Sequence, residues 1–106
     1  MKLVFAIVNS EDASTVSLEL TKKGYIVTKL STQGGFLKVG NTTFLIGVEE
    51  DKVDDVIETI RAYSQKRQQM VTNLSAFPGD TLSIPMEVVV GGATIFVTGV
   101  DRYEKF

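Results

Sequence analysis

The stretch KLVFAIVNSEDASTVSLELTKKG, residues 2–24, decides how the fold begins. Residues 2–8 are apolar and rich in β-branched side chains, as in a strand. Asn9 and the acids that follow Ser10 favour a helix N-terminus, and Gly24 favours a helix end. Apolar residues at helical spacing lie between these signals, at Ala13, Val16 and Leu20. The stretch therefore predicts a strand followed by a helix that covers one face of a sheet.

The rest of the chain predicts one more helix and four more strands. The helix follows three acids and is expected to end near Arg67; its apolar stripe consists of Val53, Val56, Ile57 and Ile60. Residues 68–85 contain both prolines and predict a long, mobile loop. The strands are expected at residues 25–30, 42–48, 87–90 and 94–97, with a hairpin or bulged turn between the last two at Gly91, Gly92 and Ala93.

This order of elements, β-α-β-β-α-β with an extra C-terminal strand, is typical of a ferredoxin-like α+β sandwich. The length of 106 residues fits a single domain, and the hydrophobic fraction of 43% is ordinary for a globular protein. A domain of this size buries only about two thirds of the surface that its unfolded chain exposes. Its core is therefore adequate alone but would gain from oligomerisation.

The composition argues against several kinds of chemistry. Cysteine and histidine are absent, so the chain has no thiolate nucleophile, no thiolate ligand for zinc or an iron–sulfur cluster, and no imidazole base. We therefore expect neither an enzyme nor a metal site. The chain has 11 basic and 13 acidic residues without a long basic run, which argues against duplex nucleic acid as a partner. The run LVFAIV is too short to span a bilayer, so we expect a cytoplasmic protein without membrane insertion.

The stretch STQGGFLKVGNTTFLIG, residues 31–47, carries more glycine and hydroxyl side chains than an ordinary turn needs. Glycines allow backbone N–H groups to converge on an anion, and the nearby hydroxyls add further hydrogen-bond donors. This arrangement either cradles a phosphate or forms a purely structural turn. It is neither a P-loop nor a dinucleotide fingerprint, because no Gly-Lys-Ser/Thr ending follows and no helix opens after it.

Three residues of this stretch allow two interpretations each. Phe36 and Leu37 are either tucked into the core or presented to a flat ring. Asn41 either reads the edge of a base through its amide or caps the turn before the third strand.

The acids at residues 49–55 lack the spacing of a calcium loop and are interpreted as a solvated helix start.

Two segments together identify a family resemblance. TKLSTQGGFLKVGNTTFLIGV, residues 28–48, and MEVVVGGATIFVTGVD, residues 86–101, resemble the PII-like cyclic-di-AMP receptors of the PstA type. The resemblance extends from the first strand to Phe106. It implies a homotrimer of ferredoxin-like subunits with one cyclic di-AMP in each cleft between neighbours, no additional cofactor and a downstream protein partner that the sequence does not name. Our leading hypothesis is that binding is relayed by rearrangement of the mobile loop at 68–85.

The resemblance further implies a set of binding residues, and the chain departs from the family at one position of interest. Thr28 takes the place of the family's threonine on the second strand. Gly35, Phe36 and Leu37, in a ligand loop at about residues 31–42, correspond to contacts with the phosphates and one adenine. Asn41 and Gly47 correspond to contacts with the buried adenine. Ile26, however, replaces an expected arginine, so a ligand-independent or differently liganded interaction module is the alternative.

Overall fold

The computed structural model describes residues 1–30, 40–74 and 83–106, with the backbone alone described at 71–74 and 83–86. The helices are α1 (Ser10–Lys22) and α2 (Val53–Tyr63), and a 3₁₀ turn, Glu50–Lys52, leads into α2. The strands are β1 (Lys2–Asn9), β2 (Val27–Leu30), β3 (Asn41–Val48), β4 (Arg67–Leu74), β5 (Ser83–Val90) and β6 (Ala93–Gly99).

Four strands form one antiparallel sheet in the order β2-β3-β1-β6. Both helices pack against the same face of this sheet. The buried side chains of the two helices and the sheet form one core, made of Val4, Ala6, Val8, Ala13, Val16, Leu20, Phe44, Ile46, Val48, Val56 and Ile60. The predicted fold class, a ferredoxin-like α+β sandwich, is confirmed.

The start and end of α1 follow the signals in the sequence. The Asn9 side chain accepts a hydrogen bond of 2.9 Å from the backbone N–H of Glu11, which caps the helix N-terminus. Lys23 caps the other end, and Gly24 then takes a φ of +91°, a left-handed conformation that glycine adopts without strain. These contacts fix where α1 begins and ends.

A polar cluster joins the connection between α1 and β2 to α2. The Tyr25 hydroxyl donates to one oxygen of the Asp55 carboxylate at 2.5 Å, and Lys23 donates to the other oxygen at 3.0 Å. Lys23 also donates to the Thr59 hydroxyl at 2.8 Å. The bond to Asp55 raises the pKa of Tyr25 to about 12. The bonds from Tyr25 and Lys23 lower the pKa of Asp55. The hydrogen bond therefore favours the ionised carboxylate of Asp55 and the neutral phenol of Tyr25.

The prediction of a loop over residues 68–85 is wrong for residues 68–74 and 83–85. These residues belong to β4 and β5, which pair with each other as a separate two-stranded sheet in a register running from Arg67 opposite Val90 to Leu74 opposite Ser83. The two prolines suggested a loop, but the two strands pair with each other through their backbone groups, and Pro85 lacks only its own N–H. Residues 75–82 lie outside the described residues, and the mobility of the segment stays a prediction.

Three other details of the secondary structure differ from the predictions. Helix α2 ends at Tyr63 rather than near Arg67, because Arg67 already begins β4. Strand β2 begins at Val27 rather than at Tyr25, whose hydroxyl is held by α2. The predicted hairpin between the last two strands does not form, because β5 pairs with β4 and β6 pairs with β1.

Gly91 and Gly92 carry the chain from one sheet to the other. Their φ angles are +86° and +85°, which other residues rarely adopt. The extra strands therefore precede β6 as a hairpin, and β6 itself completes the four-stranded sheet. We call β4 and β5 together the β4–β5 hairpin.

Candidate functional site

The sheet has an open face opposite the two helices. Side chains alternate between the faces of a strand, so Leu3, Phe5 and Ile7 lie on the face opposite Val4, Ala6 and Val8. The strand register extends this open face to Thr28 and Leu30 of β2, Asn41, Thr43, Leu45 and Gly47 of β3, and Thr94, Phe96 and Thr98 of β6. None of these described residues is charged, and Phe96 is 59% exposed. Such a face suits contact with a neutral or apolar surface.

A cavity of about 380 Å³ opens on this face beside β2 and the first residues of β1. Its lining consists of Met1, Leu3, Ile26, Thr28, Leu45, Gly47, Val100 and Tyr103. We call it the Thr28–Gly47 cavity. Its volume is within the range of about 300–1,000 Å³ that is typical of small-molecule sites. No side chain in this lining belongs to Asp, Glu, Lys or Arg, so the side chains here can hold a ligand through shape, hydrogen bonds and aromatic contact.

Thr28 and Gly47 reach the cavity from neighbouring strands. Thr28 lies opposite Leu45 in the register of β2 and β3, and Gly47 lies opposite Leu3 in the register of β3 and β1. Thr28 offers a hydroxyl that both donates and accepts hydrogen bonds. A Cβ placed on Gly47 would meet no other atom within 4 Å, so this glycine leaves open space beside the backbone. The structure therefore brings two of the predicted site residues together.

Asn41 lies at the opposite end of β3, away from this pair. It faces Asn9 across the β1–β3 register and lines a second cavity of about 230 Å³. We call this the Asn41 cavity; its lining consists of Ile7, Asn9, Asn41, Lys66, Gly91, Gly92, Ala93 and Thr94. Asn41 is thus the first residue of β3 rather than a free loop residue, and the described subunit does not place it beside Thr28 and Gly47.

The N-terminal turn of α1 holds the chain just before and after Asn41. The backbone N–H of Ser10 donates to the Gly40 carbonyl at 2.7 Å, and the hydroxyls of Ser10 and Thr42 lie 3.0 Å apart. Gly40 has a φ of +97°, so a glycine suits the point where the ligand loop enters β3. The end of the loop is therefore fixed to α1.

The other predicted site residues, Gly35, Phe36 and Leu37, lie outside the described residues. Their contacts with phosphate and adenine stay predictions. Sequence reasoning also missed several residues that line the Thr28–Gly47 cavity. Leu3 and Leu45 could have been found from strand alternation, because each is paired with a predicted site residue. Tyr103 lies beyond the last strand and gave no such signal.

An antiparallel sheet with helices on one face and a cavity on the other describes a small α+β domain with a candidate binding site. A family model described as “Cyclic-di-AMP receptor” matches residues 1–106. The chain therefore belongs to the cyclic-di-AMP receptor family, as the two quoted motifs indicated.

A solved structure is also similar to this chain. It is described as the crystal structure of a functionally unknown protein from Pediococcus pentosaceus, and it is 45% identical. The match covers 99% of this chain and 96% of that chain with a TM-score of 0.76. The two proteins therefore share their fold over nearly their full lengths. Within the described residues, no helix is long and apolar enough to cross a membrane.

Proposed function

We propose that this protein is a cytoplasmic second-messenger receptor that binds cyclic di-AMP in the clefts between the subunits of a homotrimer. The observation that carries the proposal is the Thr28–Gly47 cavity, which lies on the open face of the sheet in a chain of the cyclic-di-AMP receptor family. Binding is relayed to a downstream protein by rearrangement of the segment that contains the β4–β5 hairpin. No cofactor takes part.

The open face supports assembly from several copies of the chain. A neutral face that includes an exposed phenylalanine favours burial against another subunit. We assign the contacts between copies to two different surfaces of the chain, because such heterologous contacts close into a ring, whereas one surface meeting itself would give a two-fold dimer. The number of three subunits comes from the resemblance to PII-like receptors.

The position of Asn41 supports a site that two subunits share. Asn41 and Gly47 are the first and seventh residues of β3, so six steps of about 3.4 Å place them roughly 20 Å apart. This distance is much longer than a purine ring is wide. Both residues correspond to contacts with the same adenine in the family. They therefore meet one nucleotide only if they come from different subunits.

The chemistry of the cavity fits a nucleobase better than an isolated phosphate. Leu3, Ile26 and Leu45 provide apolar contact area, and the Tyr103 ring is 61% exposed and available for stacking. The Thr28 hydroxyl and the backbone beside Gly47 provide hydrogen bonds to ring nitrogens and amino groups. The phosphates are assigned to the backbone donors of the ligand loop, as the glycines at 34 and 35 indicate.

Ile26 favours the second candidate, a module that binds another ligand or binds its partner without any ligand. Its side chain is 75% exposed and lines the cavity at the position where an arginine is expected. A hydrogen bond to a charged group contributes about 1.5–3 kcal/mol, or roughly one to two decades of affinity. A receptor without this contact would either hold cyclic di-AMP more weakly or favour a less anionic ligand.

Isothermal titration calorimetry distinguishes these candidates. The purified protein is titrated with cyclic di-AMP, cyclic di-GMP, ATP and AMP at one stated salt concentration. The proposal predicts binding of one cyclic di-AMP per subunit with selectivity over the other three nucleotides. Heat from none of them, in a preparation that sediments as a folded trimer, would favour the ligand-independent module.

A further inference from the structure

An ion pair fastens the base of the β4–β5 hairpin to the first turn of α1. Arg67, the first residue of β4, donates from Nη2 to one oxygen of the Asp12 carboxylate at 2.9 Å and from Nη1 to the other at 3.2 Å. The Asp12 side chain is only 10% exposed, and Glu11 lies 3.8 Å from the same guanidinium. The bidentate contact raises the pKa of Arg67 above its ordinary value. We call this pair the Asp12–Arg67 clamp.

The backbone around the clamp is closely packed. Nη1 of Arg67 also donates to the Gln65 carbonyl at 3.3 Å. A Cβ on Gly91 would lie 2.8 Å from that Nη1 and 2.5 Å from the Gln65 oxygen, so only glycine fits there. Gly92 donates its backbone N–H to the Ser64 carbonyl. The two segments of the chain that lead into and out of the hairpin are therefore held side by side at its base.

The lining of the Asn41 cavity includes two residues that adjoin the clamp. Lys66, in this lining, directly precedes Arg67 in the sequence. Gly91, also in the lining, packs against the Arg67 guanidinium. The turn of α1 that carries Asp12 also holds Gly40, at the end of the ligand loop, through Ser10. The ligand loop and the hairpin thus share one anchor.

We infer that the Asp12–Arg67 clamp positions the β4–β5 hairpin and couples it to nucleotide bound at Asn41. The coupling rests on the proposed function, whereas the positioning does not. An isolated two-stranded hairpin is marginally stable in water, so the contacts at its base decide how often it opens. Neither clamp residue lines the Thr28–Gly47 cavity or the Asn41 cavity. Both are positioning residues rather than ligand contacts.

Hydrogen–deuterium exchange without nucleotide tests the positioning. Arg67→Lys keeps the charge but loses the planar bidentate contact, and Asp12→Asn keeps the shape of the side chain but loses its charge. Lys22→Gln, which breaks an exposed ion pair with Glu19 on the same helix, is the matched control. We expect both clamp variants to speed exchange in residues 67–74 and 83–90 by about tenfold or more, with β1 and β3 unchanged. Unchanged exchange in the hairpin, or equal acceleration in β1 and β3, overturns the positioning role.

Exchange at saturating cyclic di-AMP tests the coupling. In the native protein, nucleotide should change exchange across the hairpin, and in Arg67→Lys this change should disappear although calorimetry still detects binding. An identical response in the variant overturns the coupling, as does a native hairpin that does not respond to bound nucleotide. If the native protein binds no cyclic di-AMP, the proposed function fails, while the measurement without nucleotide still decides whether the clamp positions the hairpin.

Discussion

Gly47→Ala is the substitution that separates binding from folding most cleanly in this protein. The added methyl group would point into the Thr28–Gly47 cavity, where no other atom lies within 4 Å of the Cβ position. Gly47 does not have a positive φ, so alanine is compatible with the strand, and we expect the free energy of unfolding to stay equal or rise by about 0.4–1 kcal/mol. For the bound nucleotide, one extra methyl in a filled space costs about 1–3 kcal/mol.

The expected loss of affinity for cyclic di-AMP is therefore roughly 5- to 150-fold. Calorimetry measures the dissociation constant, and thermal unfolding measures the stability. Gly99→Ala is the matched control, because Gly99 is paired with Lys2, one residue from the partner of Gly47, and so lies on the opposite face of the sheet. If Gly47→Ala bound cyclic di-AMP as tightly as Gly99→Ala, the cavity would not be the nucleotide site.

Three further substitutions test other parts of the account. Ile26→Arg should tighten cyclic di-AMP binding by roughly 10- to 100-fold in calorimetry at low salt, and no gain would contradict its position beside the nucleotide. Asn41→Ala should weaken binding by roughly 2- to 12-fold through the loss of one hydrogen bond, while circular dichroism stays native; full affinity would mean that the assigned site is misplaced. Tyr25→Phe should lower the melting temperature near neutral pH. Because the pKa of Tyr25 is raised from 10.0 to about 12, its stabilising effect is complete below pH 10 and is lost as the pH rises through about 12. The lowered pKa of Asp55 means that its contribution is present above its ordinary pKa of 3.8 and is lost on further acidification. A constant difference in melting temperature between native and variant protein from pH 7 to 12 would contradict the hydrogen bond to Asp55 as the source of the stabilisation by Tyr25.

Local signals in the sequence were sufficient for the elements of the main sheet and its helices. Asn9 caps α1 and Gly24 follows its end because both act through backbone contacts within a few residues. The β4–β5 hairpin was missed for the opposite reason. Its strands pair with each other, and the described side chains at residues 67–70 are exposed, so Gln68 and Gln69 show no alternation of apolar and polar residues. The glycines at 91 and 92 marked a turn but not the change of sheet that it makes.

The family resemblance named candidate site residues but not their arrangement in space. Thr28 and Gly47 were assigned through the family resemblance, and the register of two strand pairs brings them to one cavity. The separation of Asn41 from Gly47 follows only from their placement in a single extended strand. The Asp12–Arg67 clamp was out of reach, because it joins residues 55 positions apart in the chain. Contacts of that kind depend on tertiary structure rather than on local pattern.

A crystal structure of the protein grown with cyclic di-AMP tests the central claim most directly. We predict a trimer with one nucleotide in each cleft between subunits. One adenine should lie against Thr28 and Gly47 of one subunit and reach Asn41 of its neighbour. A nucleotide held entirely within one subunit, or bound away from the open face of the sheet, would contradict the account.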